Sequence, residues 1–384
     1  MRVLVFNAGS SSLKYRLVEA SAESPAAVRT LASGRVERIG EGATAPDHET
    51  AARAVLSGEA ASAGCEALAH RIVHSGERFA GPAALDGETM RALEALDEIA
   101  PLHNRAALSV VRECRRARPD LPEVAVFDTT FHREMPERAS TYAIPPELAA
   151  RHGIRRFGFH GIAFRSMMET YAERSGRPAR ELRLIALHLG NGASACAIDR
   201  GRSVDTTMGF TPLEGLVMGT RSGDLDPALV PYLARREQIS AADVVALLNE
   251  RSGLAGVSGL SRDARAIESA AESGNSRARL ALDLFAYRAR KTLGAFLAVL
   301  GRADAVLFGG GIGEHMPRVR AAILDGLDEM GIALDASRNS ARKQGEGLIS
   351  APGSKIEAWV VPPDEESVIA RDAIALLTRR EPGA

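Results

Sequence analysis

The sequence predicts a two-domain α/β protein, and three observations carry that prediction. A chain of 384 residues is long enough for about two domains at roughly 150 residues each. Short apolar strands alternate with helical runs. A strand, polar loop, strand unit near the start also returns near the middle as a weak internal repeat.

The first unit comprises strands at Arg2–Phe6 and Leu13–Glu19, separated by Asn7-Ala8-Gly9-Ser10-Ser11-Ser12, a turn of small hydrogen-bonding residues. Met90, Leu93, Leu96 and Ile99 recur at helical spacing and predict a helix over Glu88–Ile99. Glu123–Phe127 reads as a strand ending in Asp128, a position where α/β sheets usually bind ligands. Pro145-Pro146 and the basic stretch Arg151–Arg156 break the pattern and put a domain boundary near residue 150. The repeat follows as Leu184–Leu189, the loop Gly190-Asn191-Gly192-Ala193-Ser194, and Ala195–Ile198 before the turn Asp199-Arg200-Gly201. Asp226-Pro227 has the form of an N-cap with proline at the first helical position, and Arg277–Leu300 is a long amphipathic run. Strand Ala305–Phe308 then meets the loop Gly309–Gly313, and Pro317 opens another helix. Strand, glycine loop and helix together expose backbone N–H groups to a phosphate or nucleotide. After the Pro362-Pro363 break, Ser367–Arg379 reads as a final helix.

Forty-eight basic residues balance 49 acidic ones, for a net charge of −1. Phosphate-rich surfaces demand a basic excess, so nucleic acid and anionic membranes are disfavoured as partners and a small-molecule substrate is expected. Cys65, Cys114 and Cys196 share no metal-ligand spacing and are odd in number, which disfavours a disulfide framework and a structural zinc site. The opening apolar run stops at Asn7, too short for a signal peptide, and no stretch approaches the ~20 apolar residues of a membrane span. A cytoplasmic location is the expectation.

None of the three loops matches the P-loop or Rossmann spacing, yet two of them supply hydroxyls and backbone donors suited to phosphate oxygens. Lys14, one of only four lysines, follows the first loop and could contact phosphate; alternatively it is a solvated strand lysine. Arg71, in His70-Arg71-Ile72-Val73-His74, and Arg221, in Gly219-Thr220-Arg221-Ser222-Gly223-Asp224, stand in apolar or glycine-flanked settings. A buried arginine needs an anionic partner, either a ligand carboxylate or phosphate or a structural salt bridge. His103, His160 and His188 lie in motif-like settings without a zinc pattern and could donate to an anion; for His188, within an apolar strand, a core role comes first. Asp128 could orient a nucleophile or cap the following turn. One of Glu365 and Glu366 could hold Mg²⁺, and at least one belongs to the acidic first turn of the last helix. Phosphate-cradling turns, arginines, a lysine and separated carboxylates, without a nucleophilic triad, are the requirements of phosphoryl transfer, where positioning and charge stabilisation dominate.

Jointly, these motifs coincide with those of a known family. Asn7–Lys14, His70–Gly76, Ala100–Asn104, Phe127–His132, Arg156–Gly161, His188–Gly192, Asp205–Gly215, Met218–Asp224 and Gly311–Glu314 resemble, in order and over essentially the whole chain, the acetate kinases. These belong to the acetate and sugar kinase/heat-shock protein 70/actin superfamily. The resemblance implies two duplicated ribonuclease H-like (actin-like ATPase) domains with a central interdomain cleft, one formed by 1–149 with 366–384 and the other by 150–365, in a homodimer. It implies reversible in-line transfer of the ATP γ-phosphoryl to acetate, giving acetyl phosphate and ADP, with Mg²⁺ (or Mn²⁺). By the same resemblance Asn7 and Glu365 hold the metal, Arg71 and Arg221 bind the carboxylate and the transferring phosphoryl, Asp128 is the essential carboxylate, and His160 hydrogen-bonds the phosphoryl. His103 supports the site. Ser12, Lys14, His188, Asn191 and Gly192 lie on the phosphate path, while Asp263, Arg265, Gly311, Ile312 and Gly313 form the adenosine site. Val73, Leu102, Phe159 and Pro212 line the pocket for the acyl methyl group.

The sequence departs from the family at Ala264, where an aromatic is usual, at Ile162-Ala163-Phe164, which lacks a second histidine, and at Arg105-Ala106, where two prolines are usual. Pro363-Asp364 replaces Thr-Asn ahead of the two glutamates. Propionate or another short-chain acid is the alternative acceptor. The alternatives from other classes are a non-catalytic, actin- or chaperone-like nucleotide-binding protein and, less favoured by the residues, a sugar kinase. Retention of Arg71, Asp128, His160 and Arg221 favours the carboxylate kinase.

Overall fold

The computed structural model describes residues 1–9, 11–20, 28–40, 45–58, 64–98, 104–342 and 345–379. Ser10, Ile99, Leu102 and His103 lie outside the described residues. The chain divides into two compact units, 1–131 with 364–384, and 132–363; the divisions expected at 149/150 and 365/366 are drawn here at 131/132 and 363/364.

In the first unit the described strands are β1 (Arg2–Ala8), β2 (Ser12–Ala20), β3 (Val28–Glu37), β4 (Ala67–Ile72), β5 (Ala83–Ala84) and β6 (Glu123–Phe127). They form one sheet in the order β3-β2-β1-β4-β6-β5. β1, β2 and β3 run as an antiparallel meander, β1, β4 and β6 are parallel, and β5 closes the edge antiparallel to β6. The second unit repeats the plan. β7 (Arg183–Leu189), β8 (Ala193–Asp199) and β9 (Arg202–Thr206) form the meander, β10 (Ala305–Gly309) and β12 (Glu357–Val360) run parallel to β7, and β11 (Gly347–Leu348) closes the edge. Even the irregularity is duplicated, since the register shifts once between β2 and β3 at Leu17/Val18 and once between β8 and β9 at Ala197/Ile198. Such bulges bend a strand and sharpen its twist. The weak sequence repeat is therefore a repeat of topology: two mixed sheets of actin-like, ribonuclease H-like form.

The central strands are buried on both faces. Val3, Leu4, Val5 and Phe6 in β1, and Leu184, Ile185, Ala186 and Leu187 in β7, are at most 1% exposed, which accounts for their continuous rather than alternating apolar runs. In the first unit Ala107, Leu108, Val111 and Cys114 of the helix Asn104–Ala117 join Leu4, Phe6, Leu68 and Ile72 in one core. Truncating one such leucine to alanine costs about 2–5 kcal/mol. The C-terminal helix Glu365–Thr378 returns to pack on β1, β4 and β6. In the second unit the helices Gly161–Ser175 and Ser276–Leu300 pack on β7.

Several expected elements shift. The long helix Ser276–Leu300 is capped by Asn275, which accepts from Ala278 N, and stops at Gly301 with φ 69°. Asp226 does not cap a helix. Its carboxylate accepts from Ala228 N in a preceding turn, and the helix begins at Leu229. The last helix starts at Glu365 rather than Ser367, because Asp364 supplies the cap by accepting from Ser367 N. The glycine loop Gly309–Gly313 is mostly helical: Gly309 is extended, Gly310 turns at φ 76°, and a short helix spans Gly310–His315. Among the described residues no helix is long and apolar enough to cross a membrane.

Candidate active site

In the first unit, three expected residues project from one face of the sheet. Alternation along β1 and β4 puts Phe6 and His70 on the face of the helix Asn104–Ala117, and Asn7 and Arg71 on the opposite face, toward the C-terminal helix. Asp128, 1% exposed, follows β6 directly, and its carboxylate pairs with the Arg71 guanidinium, itself 14% exposed. Arg71 Nη1 also lies 3.4 Å from Asn7 Oδ1 and from the Ala8 carbonyl oxygen. Burial alone lowers the pKa of Arg71, but Asp128 and then Glu365 outweigh that effect and raise it, so the cation is permanent. The Asn7 amide donates to Glu365 Oε2 and Glu366 Oε1, each at 2.8 Å. Arg16, which the sequence reading passed over, braces this acidic turn from β2: its Nη1 lies 2.6 Å from Asp364 Oδ1, and its Nη2 lies 3.4 Å from Glu366 Oε2. Ser12 opens β2, Lys14 is exposed on it, and Val73 is buried just beyond β4.

In the second unit the β7–β8 loop is the organising element. The Gly190 amide donates to the Gly192 carbonyl and the Gly219 amide to the Asn191 carbonyl, tying the loop to the Arg221 segment. A Cβ on Gly192 would come 3.3 Å from His160 Cε1 and 3.7 Å from Arg221 Nη1. The missing side chain therefore leaves a space faced by an imidazole and a guanidinium. A Cβ on Gly190 would come 3.9 Å from the Gly311 amide nitrogen, which joins the start of the glycine-rich helix to the same loop.

His160 Nδ1 lies 2.8 Å from the hydroxyl of Ser194 on β8, and its ring sits 4.5 Å, centroid to centroid, from that of His188 on β7. His188 is thus half-buried at the site rather than sealed in a core. Arg221 donates to the Pro212 carbonyl at 3.2 Å and has no carboxylate partner among the described residues. Burial lowers its pKa below the usual guanidinium range. A largely buried cation without a counter-ion marks a place for an anion.

Ile312 and Gly313 are buried in the short helix and Gly311 is exposed at its start. Asp263 caps the helix Ala264–Glu272 and pairs with the exposed Arg265 at 3.0 Å, while Arg262 next to it approaches Gly219. Phe159 is 2% exposed and Pro212 is buried.

Sequence reasoning missed Arg320, 0% exposed. Its guanidinium takes the carbonyls of Gly313 and Glu314 at 2.8 Å and those of Asn339 and Arg342 at 2.9 and 2.6 Å, locking the end of the glycine-rich helix. It also passed over His132, 0% exposed, whose Nε2 lies 3.0 Å from the Phe159 carbonyl oxygen.

The two duplicated units have the ribonuclease H-like form of the actin-like kinases; one carries an arginine–carboxylate pair beside an acidic turn, and the other a glycine loop beside an arginine with no carboxylate partner among the described residues. The chain matches the acetokinase family over residues 2–371 and belongs to it. It is 44% identical to an acetate kinase of Heliobacterium modesticaldum, covering 98% of this chain and 100% of that one. It is 46% identical to an acetate kinase of Leifsonia xyli, with 97% and 98% covered. Among solved structures it superposes on Porphyromonas gingivalis acetate kinase with a TM-score of 0.87 at 38% identity, covering 98% and 99%. On a propionate kinase from Francisella tularensis the TM-score is 0.88 at 33% identity, covering 97% and 98%.

Proposed function

We propose that this protein is an acetate kinase, an ATP:acetate phosphotransferase that moves the γ-phosphoryl of ATP to an acetate oxygen, giving acetyl phosphate and ADP, reversibly. The observation that supports this most directly is Arg221. It is a largely buried guanidinium with no carboxylate partner among the described residues, beside the space that Gly192 leaves open and His160 borders. An anion satisfies it, and negative charge spread over phosphoryl oxygens in the transition state satisfies it best.

In this reading a carboxylate oxygen of acetate attacks the γ-phosphorus and the bond to the β-γ bridging oxygen breaks, with the electron pair leaving on ADP. Arg71 neutralises the acceptor carboxylate and Asp128 holds Arg71 in place. Arg221 and the His160 Nε2–H carry the phosphoryl oxygens. The backbone and side chains at Ser12, Lys14, His188, Asn191 and Gly192 serve the phosphates. Asp263, Arg265 and Gly311–Gly313 serve the adenosine, and Val73, Phe159 and Pro212 the acyl methyl group.

A magnesium ion fits the acidic turn chemically. Glu365 and Glu366 are gathered on one amide at Asn7, the available ligands are hard oxygens, and Mg²⁺ needs only one or two carboxylates when waters and phosphates complete its shell. Glu365, with Asn7 beside it, would hold the ion, which offsets phosphate charge when bound. A cytoplasmic homodimer is the accompanying expectation, and sedimentation velocity tests the assembly.

Trapping acyl phosphate as the hydroxamate after incubation with MgATP and acetate, against an acetate-free blank, tests the proposal. Product well above the blank is expected. ATP hydrolysis that ignores acetate contradicts it. Propionate is the second acceptor to try, favoured by the likeness to a propionate kinase. One methylene in an apolar pocket is worth only ~1–3 kcal/mol.

A further inference from the structure

His132 ends the Phe127–His132 motif, yet the proposed chemistry leaves it without a role. It is 0% exposed. Its ring is nonetheless fully engaged. Nε2 lies 3.0 Å from the Phe159 carbonyl oxygen, and Nδ1 lies 2.7 Å from the hydroxyl of Ser203 on β9. A carbonyl only accepts, so Nε2 carries the proton and Nδ1 accepts from the serine, which fixes a single neutral tautomer. Phe164 meets the ring edge-on at 5.8 Å.

The segment above the ring is the one that presents His160. Gly158, at φ 74°, lies so close that a Cβ there would come 2.7 Å from His132 Cδ2. His160 adopts φ 58°, a left-handed conformation that a side-chain-bearing residue enters only when its surroundings hold it there. The backbone on either side is anchored: the Phe157 and Gly158 amides donate to the Gly209 carbonyl, and the His160 carbonyl accepts from Phe164 N. The peptide plane joining Phe159 to His160 is held by the His132 bond. The His160 ring is then held separately by Ser194.

We propose that His132 is a positioning residue for phosphoryl transfer. By donating from Nε2 to the Phe159 carbonyl it fixes the Phe159–His160 peptide and thereby the aim of the His160 ring. This rests on the reading of His160 as the group that hydrogen-bonds the phosphoryl. A misplacement of about 1 Å at such a group costs on the order of 100-fold in rate.

The test compares His132→Gln, whose amide nitrogen reaches as far as Nε2, with His132→Asn, which reaches only as far as Nδ1, and adds His132→Ala and His160→Ala alone and combined. Initial rates of all are measured across MgATP and acetate concentrations up to saturation, with thermal melts of each. His132→Asn and His132→Ala are expected to lower kcat by roughly 10- to 100-fold with both KM values within about threefold. His132→Gln should restore most of kcat even where its melting temperature is no higher than that of the Asn variant. In the His160→Ala background, His132→Ala should cost less than about twofold more. Equal kcat for the Gln and Asn variants, or losses that multiply in the double variant, would overturn the positioning role. A His160→Ala enzyme of near-normal kcat would instead remove the role of His160, and the proposal with it. If His132→Ala does not fold, the Gln and Asn pair decides.

Discussion

The Arg71 guanidinium meets the Asp128 carboxylate at the ends of adjacent parallel strands β4 and β6, so the cation proposed to receive the acetate carboxylate is already matched to a buried anion. Asp128 thus aims Arg71 and also competes for it. Asp128→Asn is expected to lower kcat by about 100-fold or more while leaving the acetate KM unchanged or lower, because the competitor is gone. Arg71→Ala is expected to lower kcat and raise the acetate KM together. Steady-state kinetics in acetate separates the two patterns, and a normal kcat in either variant removes that residue from the mechanism.

Gly192 keeps open the space between His160 and Arg221. Gly192→Ala puts a methyl group 3.3 Å from the imidazole and is expected to reduce kcat/KM for ATP by about tenfold or more with little change in melting temperature. Arg221→Ala is expected to cost about 100-fold or more in kcat. Arg221→Lys should recover little of it, since an ammonium lacks the planar fork. A Gly192→Ala enzyme with unaltered ATP kinetics would show that phosphate does not approach this loop.

The two glutamates that open the last helix are held differently, and their variants should differ in kind. Glu366 is 7% exposed and lies between Asn7 and Arg16, so Glu366→Gln is expected to lower the melting temperature. Glu365→Gln is expected to raise the Mg²⁺ concentration for half-maximal rate and to weaken Mn²⁺ binding measured by electron paramagnetic resonance. Equal metal dependence in both variants would count against Glu365 as the ligand.

Stability should fall on both sides of neutrality for opposite reasons. Burial pushes His70 down to about 3, and His74 and His132 down to about 4. The unfolded chain therefore binds more protons below about pH 6.5, and the stability these residues contribute, complete above that pH, is lost as pH falls toward 4. Burial pushes Glu123 up to about 8 against the opposing pull of Arg115. Its contribution is complete below about pH 4.5 and is lost as pH rises through 8. Urea melts at pH 5, 7 and 9 are expected to peak near neutrality. Glu123→Gln should flatten the alkaline side, and His70→Phe, replacing a ring stacked 5.5 Å from Phe6, should flatten the acid side. An unchanged pH profile in both variants would contradict the assignment.

The duplicated hairpins were legible because each consists of an apolar strand, a loop of small polar residues and a second strand, a signal confined to about twenty residues. Arg71 and Arg221 stand out in the sequence because a guanidinium in an apolar or glycine-rich setting calls for an anion; for Arg71 the structure supplies one in Asp128, the salt bridge that was the alternative to a ligand. The site's supporting residues were not legible. His132 finds its partners 27 and 71 positions away, and Arg16 reaches an acidic turn 348 positions away, pairings that only the closed fold creates. The glycine-rich stretch after β10 was misread as a loop because glycine weakens helices on intrinsic propensity. Arg320 overrides that weakness by taking the carbonyls at the helix end.

Phosphoryl transfer from ATP to a short-chain carboxylate is the activity proposed for this chain. The most direct measurement is acyl phosphate formation from MgATP with formate, acetate, propionate and butyrate in parallel, with an acid-free ATPase blank, compared as kcat/KM. A maximum at acetate, with propionate next and the blank low, is the predicted result. Rates equal to the blank with every acid, or a maximum at butyrate, would contradict the account.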